Sequence, residues 1–222
     1  MWFTKSKEEV LKELNVDPLK GLADDDVKVR LDKYGANRLL VKKKKNIFQL
    51  FVAQLNEWLI YILFGAVIIT LFMSEYVDAL IIFIVIITNA TLGVIQEVKA
   101  GKAIDAIKKM SFPKTLVRRN GEAKEVNADE IVPGDILILD AGRFIAADIR
   151  LIESSSLQIE ESALTGESVP AHKNALMHID DNKTPLADRV NLAFMSTYVT
   201  SGRGLGVVVE TGMNSEVGKI AY

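Results

Sequence analysis

Thr165-Gly166-Glu167-Ser168 lies inside a polar run, Ile159 to Pro170, and sets a hydroxyl, a glycine, a carboxylate and a second hydroxyl side by side. Glycine takes positive φ without penalty, so these residue types favour a tight exposed turn presenting one acid. Such a turn can hold a water beside a phosphate. Taken alone, the four residues are better read as an ordinary polar surface turn, and only their setting shifts that balance. His172 and His178 follow on a polar stretch and read as a solvated pair rather than a zinc site. Cysteine is absent, which excludes disulfides, thiolate metal sites and a cysteine nucleophile, and fits a reducing compartment. A net charge of -2 with no basic stripe excludes a nucleic-acid surface.

A β-rich segment must position this turn. Thr115 to Arg119 and Glu122 to Val126 flank Asn120-Gly121, a strong hairpin signal. Asn127 is placed to cap a one-turn helix through Ile131, and Pro133-Gly134-Asp135 turns the chain into an apolar strand, Ile136 to Leu139. Ala141-Gly142 makes a turn, Ile149 to Ile152 a strand, and Leu157 to Glu160 leads into the Thr165 turn. Pro170 to Asp188 reads as an exposed irregular loop with Lys173 and Lys183 solvated. Leu192 to Thr200 and Leu205 to Thr211 read as two strands around a Ser201-Gly202-Arg203-Gly204 hairpin.

The first half differs in kind. Ser6 and Glu9 have capping-box spacing, with Val10, Leu11 and Leu14 on one helix face, and Asn15 to Gly21 breaks that helix. A second helix begins at Asp24 to Asp26, carries Val27, Val29, Leu31 and Tyr34, and stops at Gly35. From Leu50 to Met73 the only charge is Glu57; after a short turn, Ala79 to Gln96 is a second uncharged run. Each approaches the roughly 20 residues that cross a bilayer. Lys42 to Lys45 precede the first run and Lys99, Lys102, Lys108 and Lys109 follow the second, so both ends face the cytoplasm. Asn89 and Thr91 inside the second span suit bonds to neighbouring helices. Beyond Gln96, Val98, Ala103, Ile104 and Ile107 recur at helical intervals among charges, extending the helix as an amphipathic stalk that Ser111 to Pro113 ends. The N-terminus lacks the pattern of a secretory signal. A soluble β protein with a buried apolar hairpin is the competing reading.

Set among Val132-Pro133-Gly134-Asp135, Ala147-Asp148, Thr211-Gly212 and Gly218-Lys219-Ile220, the Thr165 to Ser168 run resembles the TGES loop of the actuator domain of P-type cation-transporting ATPases. GLADDDVKVRLDKYGANRL is similar to their N-terminal cytoplasmic segment, and the likeness, chiefly to calcium pumps of the sarcoplasmic-reticulum and bacterial type, runs along nearly the whole chain. The resemblance implies an α+β membrane protein fragment, with a two-helix transmembrane hairpin, a cytoplasmic, mainly β actuator domain and short N-terminal helices. The implied divisions are an N-terminal helical segment at 1–45, a first transmembrane helix at 46–73, a second with its stalk at 77–110, and the actuator at 111–222. Glu167 is implied as the general base for water attacking an aspartyl phosphate on another domain. Thr165 and Ser168 are implied to fix loop and water, and Gly166 to allow close approach to the phosphate.

For the complete pump the resemblance implies ATP and Mg2+, neither bound by this chain, and Ca2+ as cargo. The implied partners are the phosphorylation and nucleotide-binding domains, the remaining membrane helices and the lipid bilayer, in a multi-pass protein of the cell membrane. An acidic residue near Glu57 helps admit the ion in calcium pumps, although Asn56 aligns there. Two departures stand out. Gly142-Arg143-Phe144-Ile145-Ala146-Ala147-Asp148 replaces the usual Gly-Asp-x-Val-Pro-Ala-Asp, and Phe194-Met195-Ser196-Thr197 replaces Phe-Ser-Gly-Thr. The sequence has no Asp-Lys-Thr-Gly-Thr motif and no Gly-Lys-Thr phosphate loop, and Asp32-Lys33 is followed by Tyr34. The expectation is therefore the N-terminal portion of a pump, cut at a domain edge and inactive alone. The alternative is a membrane-anchored module that binds or regulates a pump without catalysis.

Overall fold

The computed structural model describes residues 1–39, 46–110 and 114–221, the side chains of 104–110 excepted. The Lys42 to Lys45 run, the Ser111 to Pro113 stop and the side chains of Ile104, Ile107, Lys108 and Lys109 lie outside the described residues. The chain forms two compact units, Met1–Leu40 with Phe112–Tyr222, and Val41–Ser111.

Helix α1 (Lys7–Leu14) starts on the expected capping box: the Glu9 amide donates to Ser6 Oγ at 3.2 Å and the Ser6 amide to Glu9 Oε2 at 2.8 Å. Asn15, left-handed at φ 51°, ends it. Helix α2 (Asp24–Tyr34) opens on its three aspartates and closes at Gly35. Only Val27 and Leu31 of its apolar residues pack inward, against Leu22 and Val132, while Val29 and Tyr34 face solvent.

The membrane-type unit holds α3 (Ile47–Leu55), α4 (Trp58–Phe72) and α5 (Tyr76–Met110). The stretch expected as one helix, 46–73, is bent by 68° between α3 and α4. Asn56 closes α3 with a short-range bond to the Ala53 carbonyl at 3.2 Å, and Glu57 is extended (φ −94°, ψ 141°) as it starts α4. The helix breaks where Asn56 (φ −87°, ψ 24°) and Glu57 leave helical geometry; the Tyr61 hydroxyl bonds Asn56 Oδ1 across the break. Helix α5 is continuous over 35 residues, about 52 Å at the α-helical rise. Its Tyr76–Ala103 part is long and apolar enough to cross a membrane, and α3 with α4 would make a second span if the bent pair counts as one. Ala79, Ile86, Ala90 and Val94 form its buried seam. Thr91 bonds the Ile87 carbonyl of its own helix at 2.7 Å rather than a neighbouring helix, the cheapest partner for a hydroxyl in an apolar run.

The remaining unit is an antiparallel sheet of β1 (Lys114–Arg119), β2 (Glu122–Asn127), β3 (Ile136–Asp140), β4 (Phe144–Ile145), β5 (Asp148–Glu160), β6 (Ala171–His172), β7 (Leu192–Ala193) and β8 (Thr197–Glu210). Short helices α6 (Ser162–Thr165) and α7 (Glu216–Ile220) interrupt and follow it. The order is β2-β1-β3-β8-β5-β6, with β4 on β8 and β7 on β5. Asn120 and Gly121, at φ 54° and 81°, turn the expected β1–β2 hairpin. The expected hairpin at Ser201 to Gly204 does not form. Strand β8 runs straight through it, because Arg203 pairs with Asp140 of β3 on one side and Ser155 of β5 on the other. Likewise Ile149 to Ile152 and Leu157 to Glu160 are one strand, bulged near Ser156.

Leu137, Leu139, Ile149, Leu151, Leu157, Ile159, Val199 and Val208 build the main core. Residues 1–39 belong to this unit: Val10 and Leu14 of α1 cover Ile136, Ile152, Val207 and Val209 on another part of the sheet. Buried Asn37 donates to the carbonyls of Ala128 and Ala146 and accepts from the Gly212 amide at 2.7 Å, stapling three distant segments.

Candidate functional site

Strand β5 ends at Glu160 and the chain turns at once into α6. The amides of Leu164 and Thr165 donate to the Glu161 carbonyl, each at 2.9 Å, and the Gly166 amide donates to the Ser162 carbonyl at 2.9 Å. Gly166 leaves that single turn in the left-handed conformation, φ 80°, which a side chain would strain. Thr165 Oγ1 donates to the Glu161 carbonyl at 3.1 Å and accepts from the Glu167 amide at 3.3 Å, so one hydroxyl ties the acid's backbone to the turn before it. Thr165 is half-buried, whereas Gly166, Glu167 and Ser168 are exposed. A Cβ at Gly166 would meet nothing within 4 Å, leaving the approach to Glu167 open. The structure thus brings all four predicted residues to one outward turn with the carboxylate at its surface.

The chain returns through β6, where Ala171 and His172 pair with Ile159 and Gln158. Lys173, expected to be solvated, is instead buried. Its backbone amide donates to the Leu157 carbonyl at 2.9 Å, and its side chain is fully covered beside Glu161, itself 2% exposed. Nζ donates to Glu161 Oε2 at 2.8 Å; Oε1 is 2.7 Å from the same nitrogen but off the bonding direction. The ammonium also lies 5.2 Å from the Phe194 ring centroid. Burial pushes the Glu161 carboxyl up, against the opposing pull of Lys173, and pushes the Lys173 ammonium down, against that of Glu161. Two signals were legible only with the fold in hand: Lys173 follows a strand too short to show alternation, and Glu161 precedes a helix of one turn.

The Pro133-Gly134-Asp135 turn is scaffold. Asp135 is buried, takes two bonds from Arg119 (Nε to Oδ1 2.8 Å, Nη2 to Oδ2 2.6 Å) and a third from the Val132 amide at 2.9 Å. Asp148 accepts from the Met195 amide at 2.8 Å and the Glu216 amide at 2.7 Å, tying β5 to the start of α7. Burial outweighs those bonds and raises its carboxyl to about 6. At the two departures, Arg143 pairs with Glu125 and Asp140, and Ser196 adopts φ 68°, the left-handed conformation a glycine takes freely. No three His, Asp or Glu side chains converge as a metal site among the described residues, and the sequence holds no glycine-rich phosphate cradle.

Residues 109–222 match the family profile described as the P-type ATPase actuator domain, and residues 2–70 match that described as the cation transporter/ATPase N-terminus. The chain is 50% identical to "Calcium-transporting ATPase 1" of Bacillus cereus, over 99% of this chain and 25% of that protein. It is 44% identical to "Calcium-transporting ATPase" of Bacillus subtilis, over 96% of the chain and 24% of the relative. To "Sodium/potassium exporting P-type ATPase 1" of Saccharomyces cerevisiae it is 37% identical, over 99% and 20%. It therefore spans a fifth to a quarter of the length of these relatives. An outward TGES turn on an antiparallel sheet, within an actuator-domain match covering half of the residues, establishes that the chain belongs to the P-type ATPase family.

Proposed function

We propose that the chain serves as the N-terminal part of an ATP-driven cation pump, and that Glu167 is the base that dephosphorylates its aspartyl-phosphate intermediate. The observation that carries this reading is the exposed Glu167 carboxylate on a turn tied down by Thr165. Docked against an acyl phosphate on a partner domain, that carboxylate accepts a proton from water as the water oxygen bonds to phosphorus. The bond from phosphorus to the aspartyl oxygen breaks, inorganic phosphate leaves and the aspartate is regenerated. Thr165 holds the Glu167 backbone, Ser168 supplies a hydroxyl beside it, and Gly166 keeps the approach clear of a side chain. ATP supplies the phosphoryl group in the complete pump, with Mg2+, on phosphorylation and nucleotide-binding domains outside this chain.

The unbroken α5 supports a role in carrying actuator movement to the membrane, and the two apolar segments support a multi-pass position in the cell membrane with both ends cytoplasmic. Ca2+ is the favoured cargo, because two of the three relatives described carry that ion in their names. The test is a complete pump bearing Glu167→Gln: phosphoenzyme forms from ATP and persists after a chase. Dephosphorylation at the unmodified rate would falsify the assignment. Uptake of Na+ or K+ but not Ca2+ into sealed vesicles by the unmodified pump would overturn the choice of cargo.

A further inference from the structure

We propose that Lys173 is a positioning residue for Glu167, acting through Glu161 to pin both stems of the loop that carries the base. The inference rests on the preceding reading of Glu167 and adds how the loop is held. Glu161 stands at the outgoing stem, Lys173 at the returning one, 12 residues later, and their buried contact joins the two. Strand pairing of Gln158 with His172 and the bond from the Lys173 amide to Leu157 set the register that sends the lysine inward onto Phe194.

Glu161 is more than a counter-ion. Its own carbonyl receives the Leu164 amide, the Thr165 amide and the Thr165 hydroxyl, and that hydroxyl receives the Glu167 amide. The path therefore runs from ammonium to carboxylate, through the Glu161 backbone to the Thr165 hydroxyl, and on to the base. A loop tip exposed enough to meet a partner gains order only from its stems, and a functional side chain needs such support to keep its productive geometry. An exposed lysine could not supply it, since surface pairs hold little. Burial makes this pair directional, and removing one partner strands the other.

The experiment uses the complete pump and follows phosphoenzyme formation and decay separately, together with the melting temperature. Lys173→Met slows decay by about 10- to 100-fold, the scale of a small misplacement of a reacting group. Because that variant leaves Glu161 buried and unpaired, it also melts earlier. The double variant Glu161→Leu with Lys173→Met replaces the pair by apolar side chains and recovers the melting temperature, yet its decay stays slow. Recovery of both together overturns the proposal, since the pair would then serve packing alone. Glu167→Gln separates the layers: a trapped phosphoenzyme there beside normal decay in the double variant sinks the positioning role only, and normal decay in Glu167→Gln sinks the reading beneath it.

Discussion

Two turns of this molecule share a local recipe, a glycine at positive φ followed by an acid, and put the acid to opposite uses. Gly134 (φ 98°) precedes Asp135, which is buried and held by Arg119 and the Val132 amide; Gly166 (φ 80°) precedes Glu167, which is exposed. The surroundings of the glycines differ in the same sense. A Cβ at Gly134 would sit 2.2 Å from Arg30 Nη1 and 3.1 Å from Val16 Cγ2, whereas at Gly166 it would meet nothing. Local sequence makes the turn, and what packs behind it decides whether the acid is scaffold or reagent.

The largest effects should separate the two acids cleanly. Glu167→Gln should slow dephosphorylation of the complete pump by about 10²- to 10⁴-fold, the range for a general base, while its melting temperature stays put. Asp135→Ala should do the reverse: stranding Arg119 costs about 3–5 kcal/mol of stability, read as an early unfolding transition. A stable Asp135→Ala, or an unstable Glu167→Gln, breaks the comparison.

Asp148 lies between these extremes, buried like Asp135 but short of a cationic partner in bonding contact. Its folded-state value near 6 exceeds the ordinary 3.8, so between those values the folded chain binds the extra proton. Its contribution to stability is therefore full at acid pH and is lost as pH rises toward 6. The neighbouring Glu216 reinforces the shift and Lys219 opposes it. From pH 4.5 to 7 the stability of the parent relative to Asp148→Asn should fall by about 2 kcal/mol. Denaturant unfolding in a Trp58→Phe background, followed at Trp2 where the indole bonds Glu210, reads this out. A pH-independent difference would show that folding does not raise the Asp148 carboxyl.

The glycines come next. Gly134→Ala must displace Arg30 from its bonds to the Pro133 carbonyl (2.7 Å) and the Leu14 carbonyl (2.6 Å), besides forcing a side chain to positive φ. About 2–3 kcal/mol is expected from the two together. Gly166→Ala meets only the backbone strain, about 1 kcal/mol. Equal losses of stability would mean that backbone strain alone explains both positions.

The same contrast accounts for what could be read ahead of the fold. The Ser6–Glu9 box, the Asn120-Gly121 turn and the outward Thr165 to Ser168 turn are short-range features whose partners lie within a few residues. Lys173 looks solvated in the sequence because its inward direction comes from pairing across the loop with β5. Ser201 to Gly204 has the composition of a hairpin, yet two flanking strands impose extension on it. Asn56 and Glu57 look like minor polar marks in an apolar run until their bonds are seen to end one helix and begin another.

Ser196 offers the smallest and most exacting test, since there a side chain already occupies the conformation that Gly134 and Gly166 take freely. It sits at φ 68° with its amide bonded to the Ile145 carbonyl at 3.0 Å, and the Thr197 hydroxyl locks the turn through the Phe194 carbonyl at 2.7 Å. Left-handed backbone costs a residue with a side chain about 1 kcal/mol or more, but glycine loses roughly 0.5–1 kcal/mol of extra chain entropy on folding. The two nearly cancel, so Ser196→Gly should stabilise by no more than about 0.5 kcal/mol, a rise of about 2 °C in melting temperature. A clear drop instead would mean that the serine side chain holds this turn by a contact worth more than the strain, placing it with the scaffold positions rather than with the open loop.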